Sequence, residues 1–177
     1  MDRVCVLITI AFCSLCYRID AQSVDTLFIN AAYAKLQSAA AYTLDVANTM
    51  PAENYAYKPS FGEMSFGQQL THLSRNLGWL SSSYLGNKDT NPVSEADLKL
   101  HQKDSIIAVV SRVYDYSLAK LKQFDPDQLS DTVSFFAGPM SKLQIINLIN
   151  DHQTHHRGQL VVYLRLNGLT PPSYVGW

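Results

Sequence analysis

Three of this chain's five histidines fall within five positions: His152, His155 and His156, in the run Asn150-Asp151-His152-Gln153-Thr154-His155-His156-Arg157-Gly158-Gln159. Imidazoles so placed can ligate a metal, relay protons, or form a solvated patch. On a helix, residues four apart lie about 5–6 Å from one another at Cβ. His152 and His156 can therefore converge on one divalent ion, whose bonds to imidazole nitrogen are about 2.0–2.1 Å long. The zinc-protease motif shares this spacing but carries a glutamate after its first histidine as general base. Gln153 stands there in this chain, so that chemistry is excluded.

A metal requires at least one further ligand, and the remaining histidines are His72 and His101. His101 sits in the charged run Lys99-Leu100-His101-Gln102-Lys103-Asp104, which reads as solvated. His72 falls at the edge of a leucine seam, so periodicity alone leaves its role undecided. Spacing also leaves open an ordinary polar pair. Cost favours the metal, because imidazoles inside an apolar interior need something to satisfy their nitrogens.

The elements that must position these residues read as four amphipathic helices. The first runs from about Ser23 to Met50, with the seam Phe28, Ala32, Leu36, Ala39, Thr43, Val46 and Met50, and is stopped by Pro51. After a proline- and tyrosine-containing loop, Ser65-Phe66-Gly67-Gln68 has the spacing of a capping box. It opens a second helix with the seam Phe66, Leu70, Leu73, Leu77, Leu80 and Tyr84, ending at Gly86-Asn87. A polar connector and a lead-in turn at Ser94 to Leu98 precede a third helix, on Ile106, Val110, Val113, Ser117, Leu121 and Phe124. Leu129 to Pro139 reads as a short extended or irregular connection. Ser141-Lys142-Leu143-Gln144 is a second capping box, starting a fourth helix that runs to about Asn167. At roughly 100° per residue, His152 and His156 fall inside that helix's apolar stripe and His155 falls on its flank. The class is all-α, a four-helix bundle in one domain.

The first residues, MDRVCVLITIAFCSLCYRIDAQS, have a secretory pattern: Arg3, then a nearly continuous apolar run from Val4 to Leu15. We read 1–21 as a signal peptide and 22–177 as the domain, and expect a secreted or periplasmic protein. Cys5, Cys13 and Cys16 are all the cysteines and all lie in that segment, so the mature domain needs no disulfide. The chain has 14 basic and 15 acidic residues. Without Arg3, Arg18, Asp2 and Asp20 the balance becomes 12 against 13. Near-neutral charge with no basic run argues against a nucleic-acid partner. No second apolar run is long enough to span a membrane after signal cleavage.

The run from His152 to Gln159, continued by Leu160-Val161-Val162-Tyr163-Leu164-Arg165-Leu166-Asn167-Gly168 and the pair Pro171-Pro172, resembles the C-terminal signature of the DinB-like (YfiT-like) metalloenzymes. This is the DNA-damage-inducible helical-bundle family, not the polymerase that shares its name. Met50 to Pro59 and Ser65-Phe66-Gly67 leading to His72-Leu73 are also similar, so the resemblance covers essentially the whole chain after the N-terminal segment. It implies a four-helix bundle with a metal at one end held by His72, His152 and His156. Zinc is the first expectation and nickel the second, with water completing the shell. Some members transfer or isomerise substrates with bacillithiol or mycothiol, and dimers are common. Those thiols are cytosolic whereas this chain reads as exported, which separates the expectation of a metal from that of a thiol cofactor.

The function expected is a metal-dependent enzyme of hydrolase or transferase type acting on an unidentified small molecule. The alternative is a non-catalytic metal- or ligand-binding module of the cell envelope. Tyr55, Tyr57 and Asn76 are candidate pocket-lining groups, and no general base stands out. Gly158, inside a helix and off its apolar stripe, fits close approach by a second subunit. The glycine loops that cradle phosphate, the G-x-S-x-G elbow and CxxC are all absent from residues 22–177.

Overall fold

The computed structural model describes residues 23–86 and 89–177; the expected signal peptide, with its three cysteines, lies outside the described residues. Four helices carry the fold: α1 (Val24–Thr49), α2 (Phe66–Leu80), α3 (Lys103–Lys122) and α4 (Lys142–Leu166). The starts of α1, α2 and α4 are chemically fixed. The Ser23 side chain accepts from the Thr26 amide. Both expected capping boxes form, Ser65 with Gln68 and Ser141 with Gln144, each satisfying two amides that a helix start leaves free.

α1 packs against α3 and α4, and α2 packs against the same two helices. The sequence-consecutive helices α1 and α2 are therefore diagonal, and α4 is flanked by both. One face of α4 meets α2 and another meets α1. The core between the helices takes the expected seam of α2 from Phe66 through Leu70, Leu73 and Leu77 to Leu80, all fully buried, while Tyr84 lies beyond α2 and is half-buried. Burial of side chains this size stabilises by about 1.5–3 kcal/mol each. On α1 the seam holds from Ala32 to Met50, but at its start Ile29 is buried and Phe28 only half so. Tyr42 and Ala47 are buried as well, since α1 serves two partners.

The connectors depart from simple loops. After Leu80 the chain continues as one wider π-helical turn, Ser81–Leu85. A 3₁₀ turn at Asp97–Lys99 overlaps the expected lead-in to α3, fixed by Ser94 and Asp97 bonding one another and by Arg112 on Asp97 at 2.9 Å. In the segment read as extended, β1 (Thr132–Val133) forms a two-residue antiparallel ladder with β2 (Met140–Ser141). The hairpin between them leaves Phe136 exposed. Gly78, in the interior of α2, is required by packing: a Cβ there would collide with the Asn91 side chain and press on the Pro92 ring. No described helix is long and apolar enough to cross a membrane.

Candidate metal centre

The α2–α4 interface brings His72, His152 and His156 together. One ring nitrogen from each lies within 4.8 Å of the others. The ring centroids are 5.3 Å apart for His72 and His152, 4.6 Å for His72 and His156, and 4.4 Å for His152 and His156. His156 is buried, while His72 and His152 are half-buried. His155 is exposed on the flank, its ring edge-on to His156 at 5.0 Å. His101 is exposed and lines a different cavity, with Tyr55 and Lys58.

The surroundings keep these imidazoles neutral. Burial, then the neighbouring rings of His156, His72 and His155, holds His152 down to about 4. Burial and the rings of His72 and His155 hold His156 down to about 4, against a small opposing effect of Gln159. Burial and the Arg75 guanidinium lower His72. Neutral imidazole is the form that ligates metal.

His156 is also oriented. Its Nδ1 lies 2.6 Å from Oε1 of Gln69, one turn before His72 on α2. The Gln69 amide is an acceptor here, so Nδ1 carries the proton and Nε2 is the free donor atom. Gln69 Nε2 reaches the Tyr163 hydroxyl at 3.5 Å, and that hydroxyl donates to the Met64 carbonyl at 3.0 Å. Nδ1 of His152 is buried with no hydrogen-bond partner. Three nitrogens on a tetrahedral ion would stand roughly 3.4 Å apart, given bonds of about 2.0–2.1 Å. Side-chain shifts on the order of 1 Å close the set. The donors thus fit a single divalent ion, which would leave a coordination position free.

His72 also borders open space. A cavity of about 380 Å³ is lined by His72, Arg75, Asn76, Trp79 and Asn91. Trp79 forms an apolar wall, stacked on Phe135 with centroids 5.7 Å apart. Asn76 lines the cavity as expected, and its Oδ1 is buried with no donor. The two tyrosines do not. Tyr55 is 3 % exposed, donates to the Ala47 carbonyl at 2.7 Å and packs on Phe66. Tyr57 packs edge-on against Tyr163. Sequence reasoning missed Gln69 and Tyr163; Tyr163 falls in the apolar stripe of α4 and reads as packing. The signal available for Gln69 was a polar residue one turn before a histidine and next to Leu70 of the seam.

Residues 23–176 match the model of the DinB family. The chain belongs to the DinB family. The DinB-like protein YjoA of Bacillus subtilis is 25 % identical over 132 residues, spanning 72 % of this chain and 83 % of YjoA. The crystal structure of YjoA superposes with a TM-score of 0.66 at 20 % identity, over 82 % of this chain and 96 % of that one. A DinB-like protein from Bacillus cereus gives 0.67 at 20 % identity, over 83 % and 97 %. At these identities the structural likeness establishes the DinB fold, and the expected all-α bundle is what this chain forms.

Proposed function

We propose that His72, His152 and His156 hold one divalent cation, zinc before nickel, in a metal-dependent hydrolase or transferase acting on a small molecule. The observation that carries this reading is three neutral imidazole donors within 4.8 Å, one of which, His72, lines an open cavity. A cation held by neutral ligands keeps its full charge, and supplies Lewis acidity toward a substrate oxygen or a bound water. The chain's own groups supply the rest. Gln69 fixes the His156 ring, and Trp79 offers a flat apolar face to whatever occupies the cavity. The apolar N-terminal run supports export, to the periplasm or outside the cell. The family's habit of dimerising supports a homodimer.

A second reading, a non-catalytic binding module of the cell envelope, draws on one observation. Among the described residues the cavity lining contains no carboxylate that could serve as general base. Elemental analysis of the purified protein tests both. About one metal per chain, lost on alanine substitution of any of the three histidines, is expected; a metal-free wild type after gentle preparation removes both readings. With the metal present, turnover of small esters, amides or electrophiles separates enzyme from binder. Cobalt substitution reads the shell: exchangeable water favours the enzyme, and a closed four-ligand shell favours the binder.

A further inference from the structure

Arg157 follows His156 but turns toward α1, away from the metal centre. Its side chain is only 7 % exposed. The guanidinium lies 5.2 Å over the Tyr42 ring. Nη1 donates to Thr43 Oγ1 at 3.4 Å and Nη2 to Thr154 Oγ1 at 3.5 Å. Both acceptors are neutral hydroxyls, and both distances are at the long limit for such bonds. Among the described residues no ion pair includes Arg157. An arginine keeps its charge inside a protein and presents a fork of five N–H donors. Burying that charge without an anion is strongly unfavourable.

The guanidinium borders a cavity of about 120 Å³, lined also by Lys35, Asn150, Thr154 and the C-terminal residues Tyr174 and Trp177. Lys35 is a second cation; its ammonium lies 5.0 Å over the Trp177 ring, and no described carboxylate pairs with it. Among the described residues the lining thus carries two positive charges and no acidic side chain. It shares no residue with the cavity beside His72.

We propose that this cavity binds a small oxyanion of the carboxylate class, gripped by the Arg157 fork with Lys35 as the second charge. The planar fork matches the two coplanar oxygens of a carboxylate. The space equals roughly four water volumes, which admits an anion the size of acetate or phosphate and excludes a nucleotide.

The test is titration of the full-length protein with sodium acetate and with sodium phosphate at constant ionic strength, with and without a metal chelator. We expect saturable acetate binding, one per chain, unchanged by the chelator and tighter than phosphate. Lys35→Gln should weaken it roughly tenfold, the loss of one charge-assisted contact. Arg157→Lys keeps the charge, loses the fork, and should weaken acetate more than phosphate. Lys35 is half-buried, so Lys35→Gln carries the test even if the arginine variant fails to fold. The proposal is overturned if neither anion saturates the wild type, if the response disappears with the chelator, or if Lys35→Gln binds acetate as wild type does. Saturation by phosphate alone overturns the carboxylate assignment.

Discussion

Gln69 Oε1 and His156 Nδ1 meet at 2.6 Å across the α2–α4 interface, and this contact selects the nitrogen that His156 presents to its two partner histidines. A ring held by its rear nitrogen is pre-oriented and made more basic at the front. Gln69 is 2 % exposed, so the contact is shielded from competing water. Gln69→Met keeps the volume and removes the acceptor. Zinc affinity, measured by competition with a chromophoric chelator, should fall about ten- to a hundredfold with helicity unchanged. An unaltered affinity would show that Gln69 only packs.

The histidines should behave unequally on replacement. His72→Ala, His152→Ala and His156→Ala each remove a donor from the set within 4.8 Å, and each should bring metal content close to zero. His155→Ala and His101→Ala, both at exposed positions, should retain wild-type stoichiometry. Elemental analysis of the five variants reads this directly. Metal loss in His155→Ala alone would move the site to the flank of α4.

Acid should act late on binding and early on stability. His152 and His156 are held down to about 4 in the folded, metal-free protein, so protons compete with the metal little above about pH 5. Zinc affinity should be nearly flat from pH 7.5 to that point and then fall steeply. For histidines with an ordinary value near 6.5, the fall would begin near neutrality. Stability of the metal-free fold runs differently. Between about 6.5 and 4 the unfolded chain binds more protons than the folded one, so stability drops as pH falls through that window and is insensitive to these groups above it. Urea unfolding at pH 7.5, 5.5 and 4.5 with chelator present, beside NMR titration of the imidazole protons, checks both halves.

The helices were legible because their causes are local. Capping boxes at Ser65 and Ser141, Pro51 after α1 and the leucine seam of α2 each act within a few residues of chain, and the structure realises them all. The pairing of His152 with His156 follows from helical angle alone. His72 was different: periodicity placed it at a seam edge, and only the family resemblance made it the third ligand. Burial of Gln153 and Arg157 was illegible, because both depend on which helix faces which side of α4. The diagonal placement of α1 and α2 decides that, and no short-range pattern encodes it. Tyr55 misled for the opposite reason: an aromatic in a loop reads as accessible, yet it reaches back to the Ala47 carbonyl and closes the core.

The buried polar centre should be costly to disturb. The Tyr114 hydroxyl donates to Gln153 Oε1 at 2.7 Å and lies 2.9 Å from Thr43 Oγ1, joining α3 to α4 and α1. Burial pushes this phenol up to about 12, so it remains a donor at any working pH. Tyr114→Phe strands the Gln153 carbonyl in a dry interior, and should cost about 1–3 kcal/mol in urea unfolding. A change within about 0.5 kcal/mol would mean that water replaces the lost hydroxyl.

Gly158 separates two accounts of the outer face of α4. Within the chain a Cβ at Gly158 would meet nothing within 4 Å, and the position is exposed. A glycine in a helix interior costs about 1 kcal/mol relative to alanine. Gly158→Ala should therefore raise the stability of the isolated chain by about that amount. If this face is also the contact between two subunits, the added methyl intrudes on the partner and sedimentation should show weaker self-association. Stability gained with self-association unchanged would locate any dimer contact elsewhere on the bundle. Stability lost at a concentration where the wild type is monomeric would show that the glycine serves the fold of α4 itself.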